Sequence, residues 1–225
     1  MTRHPIKTVF IDYMGTTVDE HSVEMVEIVR RICKNSVLHD PKQVQRFILD
    51  NRRRYEADSY LDGYLTEDEI VDRLIGDMGA QIGLTEDPAV LRDLIRRHWV
   101  NAPVFPDAHV FFERCPVPIY IITNNGMIYM ERALAQSGLR PAGVVSTDTV
   151  RAYKPHREIF SEALRISGCT PEEAIHIGDS YDTDVVGART SGIRPILLLR
   201  GRSGHDDVET ADDLIRALDL IFKTN

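Results

Sequence analysis

Cysteine is scarce in this 225-residue sequence. Cys33, Cys115 and Cys169 stand far apart with no Cys-x-x-Cys pair, which argues against a disulfide framework or a zinc knuckle and suits a reducing compartment. Long apolar runs are missing too: no stretch approaches the ~20 residues of a membrane span, and MTRHPIK leads directly into a strand-like segment. Positive charge is in short supply, with 27 lysines and arginines against 35 aspartates and glutamates and a net charge of −8. A polyanion would be repelled overall, so neither nucleic acid nor a membrane surface is an expected partner. Together these absences predict a cytoplasmic, soluble protein. Lysine is the rarer cation, five residues against twenty-two arginines, so a lysine at a special position carries weight.

What is present is a composition 43% hydrophobic and 28% charged, that of an ordinary globular chain long enough to bury a sizeable core. Residues 7 to 13, KTVFIDY, form a β-branched and aromatic run ending at a Gly-Thr-Thr turn, the signature of a buried strand. Helical spacing then takes over in VEMVEIVRRICK, PKQVQRFILDNRRRYEA, TEDEIVDRLIGDMGAQIG and DPAVLRDLIRRHWV, the third opening with Thr66 and Glu69 in capping-box register. No strand is evident from 18 to 99. Beyond 100 the rhythm alternates: strands at 117–123, 143–148, 174–179 and 195–199, each followed by a helical pattern, the last being ADDLIRALDLIF. Alternating strands and helices predict parallel βαβ units, and the first strand must join their sheet because it cannot satisfy its backbone alone. The expected architecture is an α/β, Rossmann-like core of residues 1–17 and 100–225 with an all-helical domain, 18–99, inserted into it.

In an open parallel sheet, ligands bind beyond the carboxyl ends of the strands. The residues just past those ends are Asp12 with Gly15, Thr16 and Thr17, then Thr123 and Asn124, then Lys154 after Thr147-Asp148, then Asp179 and Ser180. An aspartate after a strand is often only a turn former. Two carboxylates converging from neighbouring strands, however, call for a cation, and Mg²⁺ takes one or two carboxylates together with waters and substrate phosphate. Lys154 adds fixed positive charge, Thr123 a hydroxyl, and the Met14-Gly15-Thr16 turn a nest of backbone N–H groups. That set suits a phosphoryl group in transfer, with Asp12 as nucleophile.

The motifs DYMGTT, IITNN, AYKPHREIF and IGDSYDTD, in this order and spacing, resemble those of the haloacid dehalogenase superfamily. The resemblance covers most of residues 7 to 199 outside the helical insertion. It implies a mobile helical cap and Mg²⁺ held by Asp12, Asp179 and the backbone carbonyl of Met14. It also implies phosphate held by Thr123, Asn124 and Lys154, with Asp184 and Ser180 in support of the metal site. The departure is Met14, where phosphatases of the superfamily carry a second aspartate that protonates the leaving oxygen and later activates water. A thioether does neither, and such acid–base assistance is worth about a hundred- to ten-thousand-fold. The metal site survives the change, since every residue has a main-chain carbonyl.

These features imply a Mg²⁺-dependent phosphatase acting on a small phosphorylated metabolite through an aspartyl-phosphate. Two alternatives stand beside it. Phosphonoacetaldehyde hydrolases and dehalogenases of the superfamily also lack the second aspartate, but the former need a cap lysine, for which only Lys34 and Lys42 are available, and the latter need neither metal nor Asp179. A descendant that binds metal and anion without turnover is the other. In the helical segment, Arg52, Arg53 and Arg54 form a run of charge that is commonly a solvated face. Arg53 is singled out as the one to reach an anionic substrate group, since a guanidinium pairs bidentately.

Overall fold

The computed structural model describes residues 5–222; residues 1–4 and 223–225, the outer ends of the expected core segments, lie outside them. Among the described residues six strands form one sheet: β1 (Thr8–Ile11), β2 (Ile119–Thr123), β3 (Gly143–Ser146), β4 (Ala174–Gly178), β5 (Arg194–Leu198) and β6 (Glu209–Ala211). Their order is β3-β2-β1-β4-β5-β6 and each neighbouring pair is parallel. Because helices cover both faces, the strands are apolar on both sides. Phe10 packs one way with Ile122, Ile159 and Phe160, whereas Val9 and Ile11 pack the other way with Phe111, Ile121 and Ile177, as the two-residue period of a strand requires.

Four helices lie between β1 and the rest of the sheet: α1 (Val23–Asn35), α2 (Pro41–Asp58), α3 (Glu67–Ile82) and α4 (Pro88–Asn101). Their starts are marked locally. Ser22 and Asp40 accept from backbone N–H groups of the first turns, Asp87 precedes Pro88 at the first helical position, and Thr66 with Glu69 closes a capping box. The helices share an apolar cluster of their own, including Ile28, Ile32, Leu74, Met78, Leu91 and Trp99. The chain then supplies α5 (Pro106–Arg114), α6 (Met127–Ser137), α7 (Thr147–Val150), α8 (Arg157–Ser167), α9 (Val186–Thr190) and α10 (Leu214–Phe222). This is the α/β, Rossmann-like class with an inserted helical layer.

Four details differ from the sequence reading. Helix α5 and strand β6 were not expected. The strand expected over 143–148 ends at Ser146, and Thr147–Val150 coil into a helical turn. The helix expected after Gly178 opens with a π-helical turn, Tyr181–Val185.

One consequence of the strand order matters for chemistry. From β1 the chain moves through β2 to β3, then returns across β1 to β4 and continues to β5 and β6, so its direction reverses between β1 and β4. The crevice at such a reversal is the ligand-binding edge of an open α/β sheet. Ile11, the last residue of β1, is in register with Ile177, next to the end of β4, and the Asp12 N–H donates to the Ile177 carbonyl at 2.9 Å.

Candidate active site

Asp12, Asp179 and Asp184 each present a carboxylate oxygen within 4.8 Å of the others. Asp12 leaves β1 and Asp179 leaves β4. Asp184 is turned back toward the sheet by the π-helical turn, its Oδ2 accepting from the Ser180 backbone N–H at 3.1 Å. Single-turn π segments often mark functional positions. Lys154, in the loop between α7 and α8, donates to Asp12 Oδ1 at 2.5 Å and to Asp184 Oδ1 at 2.6 Å. His176 Nε2 lies 2.9 Å from the same Asp184 oxygen. Asp12, Lys154 and Asp184 are all buried.

Two glycines let these groups approach. Gly15 adopts the left-handed region at φ 80°, and a Cβ there would stand 2.6 Å from Asp179 Oδ2. A Cβ on Gly178 would run into the Asp184 carboxyl. Thr16, fully buried, donates to Asp179 Oδ1 at 3.0 Å, and its hydroxyl also lies 3.4 Å from Asp12 Oδ2.

The electrostatics follow from burial and crowding. Burial pushes Asp12 up to about 8; Lys154 pulls the other way, but Asp184 and Asp179 add to the rise. For Asp184, burial also opposes charge, yet Lys154 and His176 overcome it and hold the carboxyl below its usual range. Burial likewise opposes the Lys154 ammonium, and Asp12 and Asp184 outweigh it, raising its pKa above the ordinary lysine value. A pocket with three carboxylates and one fully buried ammonium is short of positive charge. Its oxygen donor set matches a hard dication.

Around this centre, a cavity of 160 Å³ is bordered by Asp12, Met14, Thr123, Asn124, Lys154, Asp179, Ser180 and Asp184. Asn124 Oδ1 accepts from the Lys154 backbone N–H at 2.8 Å. Thr123 Oγ1 accepts from the Asn125 backbone N–H and donates to its Oδ1, both at 3.1 Å. Ser180 caps the turn that carries Asp184. Met14 is half-buried at the cavity wall.

Of the arginine run, Arg53 pairs with Asp182 at 3.2 Å and borders the cavity, Arg52 pairs with Glu56 at 3.0 Å and also borders it, and Arg54 turns away to Asp77. Three further groups escaped the sequence reading. Arg202, in the loop after β5, donates to Asp179 Oδ2 at 2.6 Å. Glu56 accepts from Asn124 Nδ2 at 3.3 Å. Glu67 accepts from Asn125 Nδ2 at 2.9 Å and from the Gly126 N–H at the start of α6, and burial pushes its carboxyl up to about 8. For the glutamates no sequence signal exists, because the way the helical layer leans on the sheet is not written in local periodicity.

A model of the HAD-hydrolase-like family matches residues 152–221. The chain is 27% identical to haloacid dehalogenase-like hydrolase domain-containing protein 2 of Bos taurus over 89% of this chain and 87% of that one. It is 30% identical to a phosphoserine phosphatase of Thermus thermophilus over 62% of this chain and 58% of the relative. In fold it is similar to the L-2-haloacid dehalogenase of Xanthobacter autotrophicus, with a TM-score of 0.81 at 18% identity, covering 98% and 100% of the two chains. The parallel sheet, the four strand-end loops and these likenesses define a hydrolase of the HAD type. The family match, the HAD-like relatives and the shared fold support a place in the haloacid dehalogenase superfamily.

Proposed function

We propose that the protein is a Mg²⁺-dependent phosphatase acting on a small phosphorylated metabolite through an aspartyl-phosphate on Asp12. The observation that carries this reading is the convergence of Asp12 and Asp179 with the Lys154 ammonium, 2.5 Å from Asp12. Asp12, Asp179 and the Met14 carbonyl would hold the ion, with Asp184 and Ser180 supporting them. When bound, Mg²⁺ supplies positive charge opposite the oxygens of the phosphoryl group.

An Asp12 oxygen attacks phosphorus, and the bond to the leaving oxygen breaks with its electron pair on that oxygen. Lys154, Thr123, Asn124 and the Thr16 N–H stabilise the transferring phosphoryl oxygens; the Gly15 N–H, expected in the same nest, is taken by the Val18 carbonyl at 2.9 Å. Water then attacks phosphorus, releasing phosphate and restoring the Asp12 carboxylate. The helical segment from 18 to 99 acts as the cap of the cavity. Met14 stands where the superfamily's phosphatases carry a second aspartate, so neither step receives a proton or loses one at that position.

The Schiff-base alternative is disfavoured, since Lys34 and Lys42 are exposed and Lys154 alone among the lysines borders the cavity among the described residues. Cap residues of Arg type border it instead, Arg52 and Arg53, which suits an anionic substrate. The test is turnover of an aryl phosphate with Mg²⁺, with acid quenching to trap labelled Asp12. Turnover and label that both vanish in Asp12→Asn are the expected result; no turnover and no label in the parent protein would refute the reading.

A further inference from the structure

The cavity at the strand ends continues into a second one of 240 Å³, and the two share Met14, Glu20, Leu49 and Arg52 as borders. Beyond the shared rim, the second cavity is walled by Met25, Ile48 and Trp99 and by the polar side chains of His21, Gln45 and His98. A cavity of ~150 Å³ suffices for a benzene ring, so at 240 Å³ this one has room for a ring, with Met25, Ile48 and Trp99 as its apolar wall. His98 is buried and its Nδ1 lies 2.9 Å from Ser22 Oγ, which leaves Nε2 as the ring nitrogen free for an occupant. The ring is kept neutral, because burial lowers its pKa to about 4.

The second observation concerns protons. At the junction of the two cavities, where a leaving oxygen would pass, stands the thioether of Met14, which has no proton to give. The other acidic groups at the phosphoryl cavity are engaged. Glu67, raised to about 8 by burial, has its two oxygens turned to Asn125 and Gly126, and Glu56 accepts from Arg52 and Asn124. Lys154 is clamped by two carboxylates, and a guanidinium does not deprotonate. Glu20 is exposed at the rim that the two cavities share, and its Gln variant tests whether it gives a proton.

We propose that the second cavity receives the leaving group of the substrate, and that the enzyme selects aryl phosphates, whose oxygen departs without protonation. This rests on the phosphatase reading above. A phenol has a pKa near ~10, as in tyrosine, whereas an alkanol lies closer to water at ~16. The phosphorus–oxygen bond breaks with its electron pair on the phenolic oxygen, and the phenolate takes its proton from water afterwards. Hydrolysis of the aspartyl-phosphate also lacks a base at Met14. Phosphorylated Asp12 therefore accumulates, and the attacking water's protons pass to phosphate and solvent.

Phenyl phosphate and benzyl phosphate carry the same ring but leave as phenolate and alkoxide, so with Mg²⁺ they separate leaving-group basicity from fit. We expect Asp12 to be phosphorylated at least about 100-fold faster by phenyl phosphate, with a product burst, and Met14→Asp to compress the ratio to within about tenfold. Trp99, the sole tryptophan, reports occupancy: its fluorescence should respond to phenylphosphonate and not to methylphosphonate. Equal rates for the two esters overturn the inference and leave the phosphatase reading standing, as does a silent Trp99 under phenylphosphonate. A Glu20→Gln or Glu67→Gln variant that slows benzyl phosphate about 100-fold would do the same by identifying an acid. If no ester phosphorylates Asp12, the phosphatase reading falls and takes this inference with it.

Discussion

Replacing Gly15 by alanine tests the site at the point where backbone and metal chemistry meet. Two costs follow from the structure. At φ 80° a residue with a Cβ loses roughly 1–2 kcal/mol relative to glycine. The added methyl would also stand 2.6 Å from Asp179 Oδ2 and 2.9 Å from its Cγ, inside any van der Waals contact, so Asp179 must move off its Thr16 hydrogen bond. For a chain of this size, 1–2 kcal/mol lowers the melting temperature by about 2–8 °C. The larger effect falls on the ion. At a hundred times its Kd, Mg²⁺ stabilises the parent by about 2.7 kcal/mol, or roughly 5–11 °C by the same conversion. Gly15→Ala should lose most of that metal-dependent rise. The assay is a thermal melt of both proteins, with and without Mg²⁺, followed by far-ultraviolet circular dichroism. A variant that melts within about 1 °C of the parent without metal and keeps the full Mg²⁺ rise would show that neither the left-handed turn nor the Asp179 contact supports the metal site.

Two further outcomes follow from the charges around the site. His98 is held neutral in the fold by burial, with the Arg52 charge adding to the effect, down to about 4, while the unfolded chain protonates it near ~6.5. Its contribution is thus present above the unfolded value and lost as pH falls toward 4, up to about 3 kcal/mol; in urea melts across that window, His98→Gln should flatten the acid slope, and an unchanged slope refutes the assignment. Arg202 sits on Asp179 at 2.6 Å with its side chain 52% exposed, so it competes with a bound cation only weakly, by less than about 1 kcal/mol. Calorimetric titration should find Mg²⁺ bound up to about fivefold more tightly by Arg202→Ala, and weaker binding would mean that the guanidinium helps to hold the site together.

How far the fold is legible in the chain depends on length and period. The buried runs at β1 and β4 stand out because both faces of each strand are covered and the apolar residues are continuous. The inserted helices stand out because their caps are chemically explicit. Helix α5 does not: it is nine residues, and Phe105 offers no side chain to cap it, so only Pro106 hints at a start. Strand β6, Glu-Thr-Ala, has no pattern of its own and exists because β5 offers it an edge. At the site, Asp12 and Asp179 stand out because each directly follows a strand, and strand ends share one edge whatever the tertiary detail; Lys154, beyond β3 and α7, stands out as one of few lysines, set before Pro155. Arg202 could not be, since nothing local ties it to Asp179. Nothing local separates Arg53 from Arg52; in the structure both border the cavity at the strand ends, and of the two only Arg52 also borders the second.

The buried charges themselves argue that this edge is not a stability device. A buried ion pair typically gains little over a well-packed apolar pair of the same volume, and often less, yet here one ammonium is shared between Asp12 and Asp184, and His176 is added behind them. Asp184 has every one of its charge partners inside the protein, so it is a fixed member, setting Lys154 on one side and the π-helical turn on the other. Asp12 and Asp179 differ. Asp12 gives one oxygen to Lys154 and leaves the other within 3.4 Å of the Thr16 hydroxyl, and Asp179, which accepts from that hydroxyl on one oxygen at 3.0 Å, turns the other to a half-exposed arginine. The two carboxylates least satisfied by the chain are therefore the two that leave the adjacent ends of β1 and β4, on the cavity side, at the reversal of the sheet. A cluster selected for packing would have its unmet charge removed; one that keeps it at the ligand-binding edge is arranged for a cation and an anion that the chain does not itself provide.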